Sequence, residues 1–414
     1  MTKNKSLREL EQIQENLEYQ NQELRVFVAD ILPKDLEIRQ NMEDRMRELE
    51  NLVNTYGGVV IVKHIQNKSV PDYNTFIGEW RLDEIIEEMQ EKDSNILILW
   101  NILKPSQIYK VNEKLKPIWA KAWDRIDLIL KIFERNAFSK EAKLQIELAS
   151  IKHMGPRIFD MGMELWKQGW KGQWETNTEI MKRHLQKREI AIKRELEVFA
   201  KVRAQHRQSR RKKWMGTVWV VGYTNAWKST LTNSLTNKWV LAEDKLFATL
   251  GTSVWKMFIE ASYEPETFKY IPPREILIND TIWFIRELPP KLIDAFKSTL
   301  EDSIESDLLL HVVDCSDPKV DIKLNVVDDI LKNIWANQRK IYVFNKIDWL
   351  EKEEYILRTQ IRVDWVKAVE EKKYKNKIEY LKEKYSKLDS IFISASEKIG
   401  LEELKKMIVE ELKK

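Results

Sequence analysis

Glycine is scarce in this chain. Only 11 of its 414 residues are glycine, where ordinary usage of about 7% would supply about 29, so few turns have the backbone freedom that only glycine confers. Cysteine is nearly absent as well, and the single Cys315 excludes a disulfide framework and fits a reducing compartment. In the apolar run that ends at Asp314 it reads as strand packing rather than as a nucleophile. No stretch approaches the roughly eighteen apolar residues of a membrane-spanning helix. The charged start Met1-Thr2-Lys3-Asn4-Lys5 has no apolar segment of the kind a secretory leader carries. A cytoplasmic protein is expected.

Tryptophan is in excess. The 16 tryptophans and 11 glycines together make 27, close to the roughly 29 glycines that ordinary usage predicts. Several tryptophans also stand where the neighbours require a backbone without a side chain. Gly222-Tyr223-Thr224-Asn225-Ala226-Trp227-Lys228-Ser229 matches G-x-x-x-x-G-K-[ST] except at Trp227. In that motif backbone N–H groups wrap the α- and β-phosphates and a helix N-terminus faces the anion, so a bulky substituent collides with the ligand. Asp280-Thr281-Ile282-Trp283 repeats the exchange in a D-x-x-G switch, whose glycine N–H reaches a γ-phosphate. Trp170 and Trp174 interrupt Gly169-Trp170-Lys171-Gly172-Gln173-Trp174-Glu175-Thr176 in the same way. One such residue would fit a degenerate paralogue. Several on independent motifs point to a stop codon that the source lineage decodes as glycine and that is rendered here as tryptophan. Trp123, in Ala122-Trp123-Asp124-Arg125, reads as an ordinary residue opening an amphipathic helix.

The net charge of +4 conceals segregation. Residues 182–213 hold thirteen Lys or Arg against Glu189, Glu195 and Glu197. A basic helix face is usually just solvated, but this one ends in Arg210-Arg211-Lys212-Lys213 with almost no compensating acid, and contact with RNA phosphates is expected.

Four segments follow along the chain. Residues 1–24 are polar and read as a frayed or disordered arm. Residues 25–120 form a small α/β domain with strands at 25–32, 59–62 and 96–99 and helices near 46–53 and 82–91. Residues 121–213 form a helical arm: one helix from Trp123 to Met154 that Gly155-Pro156 breaks, a loop over 162–177, and a second helix from about Thr178 to Arg210. Residues 214–414 alternate strands, at 275–279, 308–314, 341–345 and 390–394, with helices, the pattern of a doubly wound sheet.

Within that last segment the chemistry-bearing residues come in the order of a GTP-hydrolysing domain. Lys228 would neutralise the β- and γ-phosphates as the catalytic cation, and Ser229 would ligate Mg²⁺. Phe247-Ala248-Thr249-Leu250-Gly251 lies where a switch threonine closes over the metal, with Thr249 as the second metal ligand. Asp280, after Ile276-Leu277-Ile278, sits where a carboxylate holds Mg²⁺ or its water, and Thr281, Ile282 and Trp283 complete the γ-phosphate loop. Asn345-Lys346-Ile347-Asp348 resembles the guanine-reading N-K-x-D: an aspartate accepts from the guanine ring N–H and amine, which adenine lacks. Ser394-Ala395-Ser396 would add a backbone N–H to the guanine oxygen. Phe284 occupies the position where many such domains keep a water-orienting glutamine, so slow basal hydrolysis is expected.

Val221–Ala226, Val240–Leu250 and Phe284-Ile285-Arg286-Glu287-Leu288-Pro289 resemble the HflX family of ribosome-associated GTPases. So do Pro71-Asp72-Tyr73, Phe76-Ile77-Gly78, Ser139–Leu148 and the loop around Gly169 to Thr178. The resemblance spans roughly residues 25–410. It implies an N-terminal domain of that family, a helical arm, a P-loop GTPase domain, GTP as substrate with Mg²⁺, and a monomer that binds rRNA of the large ribosomal subunit and dissociates or rescues ribosomes. Two alternatives stay open: a GTPase of ribosome assembly, and a non-enzymatic rRNA-binding scaffold if the tryptophans are genuine. The chain also stops soon after its last helix, where many members continue into a further domain. The gene should carry a reassigned stop codon at positions 227 and 283, and finding TGG at both would end the glycine reading.

Overall fold

The computed structural model describes residues 24–32, 42–137, 139–167, 173–212, 215–223, 226–236, 253–263, 270–271, 273–280, 304, 306–350, 355–363 and 366–413. Of the N-terminal arm expected over residues 1–24, residues 1–23 lie outside them, and Leu24 opens the first strand. By its contacts the chain separates into two compact units, residues 1–136 with 146–192, and residues 137–145 with 193–414.

In the first unit β1 (Leu24–Ile31), β2 (Gly58–Gln66), β3 (Ile96–Leu99) and β4 (Lys121–Asp124) make an all-parallel sheet in the order β2-β1-β3-β4. Parallel strands are covered on both faces; β3 is accordingly an unbroken, fully buried apolar run, and β1 is buried from Val26 to Ile31 with Asp30 as its one polar residue there. The helices Glu79–Glu91 and Pro105–Leu115 cover one face through Leu82, Ile85, Met89, Ile108 and Val111. The helices Met42–Tyr56 and Arg125–Asn136 contact each other, Met42–Tyr56 also contacts β1 and β2, and Arg125–Asn136 contacts β3 and β4. Trp100, at the C-terminal end of β3, is buried between the guanidinium groups of Arg45 and Arg125, 4.8 and 4.2 Å from its ring.

Three local expectations change. Trp123 does not open a helix; it lies in β4, which pairs with β3, and the helix begins at Arg125. A four-residue strand completing a sheet cannot be told from a helical start by local periodicity alone. The single helix expected from Trp123 to Met154 is two, Arg125–Asn136 and Lys140–Lys167, and the second, the arm helix, runs without a break at Gly155-Pro156. One residue further on, Arg157 is buried and bridges Asp124 and Asp127, and His153 Nε2 lies 3.1 Å from Asp127. Tertiary ion pairing overrides the local breaker. The second arm helix begins at Gln173 rather than 178 and ends at Lys212, so that Trp174 falls in its first turn and Trp170 outside the described residues. Glu147–Arg188 and Lys140–Glu195 pair across the two helices, which run antiparallel as expected.

The second unit holds β5 (Thr217–Gly222), β6 (Ser253–Ile259), a two-residue pair β7 (Ser262–Tyr263) and β8 (Tyr270–Ile271), β9 (Arg274–Asp280), β10 (Leu308–Asp314) and β11 (Lys340–Asn345). They are followed by β12 (Tyr355–Val363), β13 (Val366–Tyr374) and β14 (Ser390–Phe392). Six strands form one sheet ordered β14-β11-β10-β5-β9-β6, parallel except for β6 at the edge. Helices Lys228–Thr236 and Leu401–Glu411 cover one face and Val320–Asn333 the other. The doubly wound sheet is as expected; the separate antiparallel hairpin β12–β13 is not. Among the described residues no helix is long and apolar enough to cross a membrane.

Asp124, Asp127, His153 and Arg157 pin the first arm helix to the end of β4. Burial lowers the His153 pKa, but Asp124 and Asp127 outweigh it and raise it from 6.5 to about 9. Burial raises the Asp127 carboxyl, while Arg157 and His153 hold it well below its ordinary range. A protonated imidazole and a guanidinium already satisfy both carboxylates, so the cluster is an ion-pair network rather than a cation site. Because the His153 pKa is raised in the fold, its stabilisation is complete below about pH 6.5 and is lost as pH rises through about 9. Thermal unfolding should show that loss in the wild type and not in His153→Gln. Arg157→Ala, which leaves the buried Asp124 and the half-buried Asp127 with His153 as their remaining cation, should cost about 3 kcal/mol.

Candidate nucleotide site

The C-terminal ends of β5, β10 and β11 converge, as register dictates: Val312 faces Gly222 and Asp314 faces Asn345. At Gly222 a Cβ would run into the Val312 carbonyl oxygen, so only glycine lets the chain turn out of β5 here. The helix that follows begins at Lys228, directly after Trp227. Lys228 is buried, and its Nζ donates to the Tyr223 carbonyl at 3.0 Å, folding the ammonium back over the loop. Ser229 lies in the first turn of the helix.

Asn345 ties the loops together. Its Nδ2 donates to the Ala226 carbonyl at 3.3 Å, and its Oδ1 accepts from the Ala395 N–H at 3.0 Å. Ser234 adds a second tie, its hydroxyl donating to the Ala395 carbonyl at 3.0 Å. One N–H of the Ser394-Ala395-Ser396 loop is thereby committed to protein. Ser394 is buried and its hydroxyl lies 3.1 Å from that of Ser396, which lies 3.4 Å from the exposed Asp348 carboxylate. Ile347 belongs to the short turn Ile347–Trp349, and its N–H donates to Ile393.

Lys346 has a left-handed backbone, φ 68°, a conformation costing about 1–3 kcal/mol that persists where surroundings enforce it. Its ammonium is buried and pairs with Asp314 at 2.7 Å. The same ammonium lies 4.7 Å from the Trp227 ring and 5.0 Å from that of Trp349, and the two rings meet edge to face at 5.4 Å. Trp227, with φ 57°, therefore lays its indole against the N-K-x-D lysine. Cys315 is buried and donates from both its N–H and Sγ to the Asn345 carbonyl, and burial with the nearby Asp314 pushes its thiol up to about 12, so it acts as a structural donor.

The structure thus gathers Gly222, Tyr223, Ala226, Trp227, Lys228, Ser229, Asn345, Lys346, Ile347, Asp348, Ser394, Ala395 and Ser396 at one end of the sheet. Asp280 ends β9 with its backbone opposite Val220 of β5. Its side chain, and Thr224, Asn225, Phe247, Ala248, Thr249, Leu250, Gly251, Thr281, Ile282 and Trp283, lie outside the described residues. Asp314 and Ser234 were not anticipated, while Cys315, read as packing rather than as a nucleophile, is buried in the core as expected. Asp314 could have been suspected from its place at the end of an apolar strand, but nothing local marks Ser234.

This strand order, with a strand–loop–helix phosphate loop and N-K-x-D at the end of β11, defines a P-loop GTPase domain. Three family profiles match: GTP-binding GTPase N-terminal over residues 43–134, GTP-binding GTPase middle region over 136–210, and 50S ribosome-binding GTPase over 217–346. GTPase HflX of Caldanaerobacter subterraneus is 38% identical over 314 residues, covering 75% of this chain and 70% of that protein. GTPase HflX of Methanocaldococcus jannaschii is 35% identical over 391 residues, covering 92% and 86%. A solved complex of SsGBP with GDP superposes with a TM-score of 0.50 at 25% identity, covering 93% of this chain and 98% of that one. The chain belongs to the HflX family of GTPases.

Asn345→Ala should destabilise the chain by about 1–3 kcal/mol, because a buried carbonyl and a buried N–H lose their partner. Unchanged thermal unfolding would show that the tie carries no weight.

Proposed function

We propose that this GTPase works as a GTP-driven switch on the large ribosomal subunit, with rRNA as the surface it docks on. The observation that carries the nucleotide half is the tie from Asn345 to both Ala226 and Ala395, which brings the phosphate loop and the two base-reading segments into one cradle. The ribosomal half is supported by the profile described as 50S ribosome-binding GTPase. It is also supported by the helix Gln173–Lys212, where Lys182, Arg183, Lys187, Lys193, Arg194 and Lys201 are exposed.

In this reading Lys228 leaves the Tyr223 carbonyl for the β- and γ-phosphates and stabilises charge that develops as water displaces GDP. Ser229, a hard oxygen donor at a helix start, and Thr249 suit Mg²⁺, which would neutralise phosphate charge when bound. Asp348, exposed, accepts from guanine, and the positions around Asp280–Trp283 respond to the γ-phosphate. Phe284 offers no group to orient water, so hydrolysis depends on a partner or on another residue. All of this requires glycine at 227, since the indole stacked against Lys346 fills space beside the base reader. The same observation favours a second reading for the literal sequence: a scaffold that binds rRNA through the basic helix without nucleotide.

Calorimetry on the double variant Trp227→Gly/Trp283→Gly should show GTP and GDP binding with no ATP binding, and Asp348→Asn in that background should abolish the preference for guanine. Lys228→Ala in that background should lower turnover on the order of 10²–10³-fold. Absence of GTP binding to the glycine variant, with ribosomal subunits still co-sedimenting, would overturn the switch in favour of the scaffold.

A further inference from the structure

Seven non-glycine residues among those described have left-handed backbones, and three of them, Trp119, Trp227 and Trp335, are tryptophan, a residue that supplies 16 of 414 positions. Bulky side chains rarely adopt this region, because Cβ crowds the following carbonyl at a cost of about 1–2 kcal/mol. The other four have reasons to be there. Asp93 is of a type that tolerates the conformation. Phe76 and Lys346 are buried and held by tertiary contacts, and Lys398 closes the loop whose ends, Ser394 and Ile399, exchange backbone hydrogen bonds.

Trp119 and Trp335 have no such return. The two residues are 86% and 79% exposed, so neither indole gains from burial. By contrast Trp100, Trp123 and Trp219 are buried and behave as core tryptophans.

The two exposed residues share one local structure. Leu115-Lys116-Pro117-Ile118-Trp119-Ala120 and Leu331-Lys332-Asn333-Ile334-Trp335-Ala336 follow the same pattern, Leu-Lys-x-Ile-Trp-Ala, in different units of the molecule. In the first, the Trp119 N–H donates to Lys116 at 3.1 Å and the Ala120 N–H to Leu115 at 3.3 Å. In the second, the Trp335 N–H donates to Lys332 at 3.0 Å and the Ala336 N–H to Leu331 at 2.9 Å. These paired bonds close a helix end through a left-handed residue, with a hydrophobic contact between the residues flanking it, and that residue is usually glycine. Both flanking pairs, Leu115 with Ala120 and Leu331 with Ala336, are buried in shared clusters. A third tryptophan fits by register: β12 and β13 pair as far as Val363 opposite Val366, leaving Asp364 and Trp365 as the connection. Asp-Gly is a preferred dipeptide for a two-residue hairpin.

We propose that the native polypeptide carries glycine at 119 and 335, as helix-terminating residues, and at 365. The inference rests on the same decoding as Trp227 but uses none of the nucleotide-site residues. It also removes two exposed aromatic rings that would otherwise read as docking surfaces.

The test compares glycine with alanine at each helix end in the full chain. Alanine removes the indole but keeps the Cβ, so the difference between the two reports the left-handed backbone alone. Trp119→Gly and Trp335→Gly should each melt about 2–4 °C above the corresponding alanine variant, the shift of about 1 kcal/mol in a unit of this size. A glycine variant no more stable than its alanine counterpart, at either position, overturns the assignment there. Peptide mass spectrometry of the protein from its native source should find glycine at all three positions. Glycine at 227 with tryptophan at 119, 335 or 365 would sink this proposal at that position while leaving the nucleotide reading intact, and the reverse pattern would do the opposite.

Discussion

The buried side chain of Asn345, at the end of β11, holds the Ala226 carbonyl with its nitrogen and the Ala395 N–H with its oxygen. Three chain segments far apart in sequence are thereby kept at fixed separation. The parallel register of β5, β10 and β11 brings their C-terminal ends level, and Cys315 and Asp314 brace the same strand ends through the Asn345 carbonyl and the Lys346 ammonium. An amide can do this because it presents one donor and one acceptor on the same planar group. Aspartate at that position would lose the donor and set a charge in a buried place.

Left-handed backbone is distributed in this molecule according to what repays it. At Lys346, which follows β11, the cost accompanies a buried ion pair with Asp314. At Trp119 and Trp335 it accompanies a ring in solvent. The same conformation is thus held by tertiary contacts in one place and is a mismatch between side chain and backbone in two others, and the local contacts distinguish them.

Much of the fold was legible in advance because apolar runs of parallel strands and the spacing of helical faces are local signals. Ile341-Tyr342-Val343-Phe344 before Asn345, and Ile276-Leu277-Ile278 before Asp280, marked strands in advance. Where reading failed, long-range pairing had overruled local preference. Lys121–Asp124 became a strand because β3 offered an edge, and Gly155-Pro156 stayed helical beside the Arg157 ion pairs. The hairpin β12–β13 was missed because its Asp-Trp connection lacks the glycine that announces such turns.

The amino-acid order by itself determined the class of the protein. Spacing between Gly222, Lys228, Asp280 and Asn345-Lys346-Ile347-Asp348 is a linear property, and family membership follows from it with the matching segments on either side. Even the conflict at Trp227 was visible there, since a motif states which positions must lack a side chain. Tertiary structure decided what linear order cannot contain: that Asn345 reaches both Ala226 and Ala395, that Asp314 partners Lys346, and that Trp119 and Trp335 sit at helix ends in a glycine conformation. Each of these depends on distances and dihedral angles that are set only when strands pair in register and helices terminate against a core.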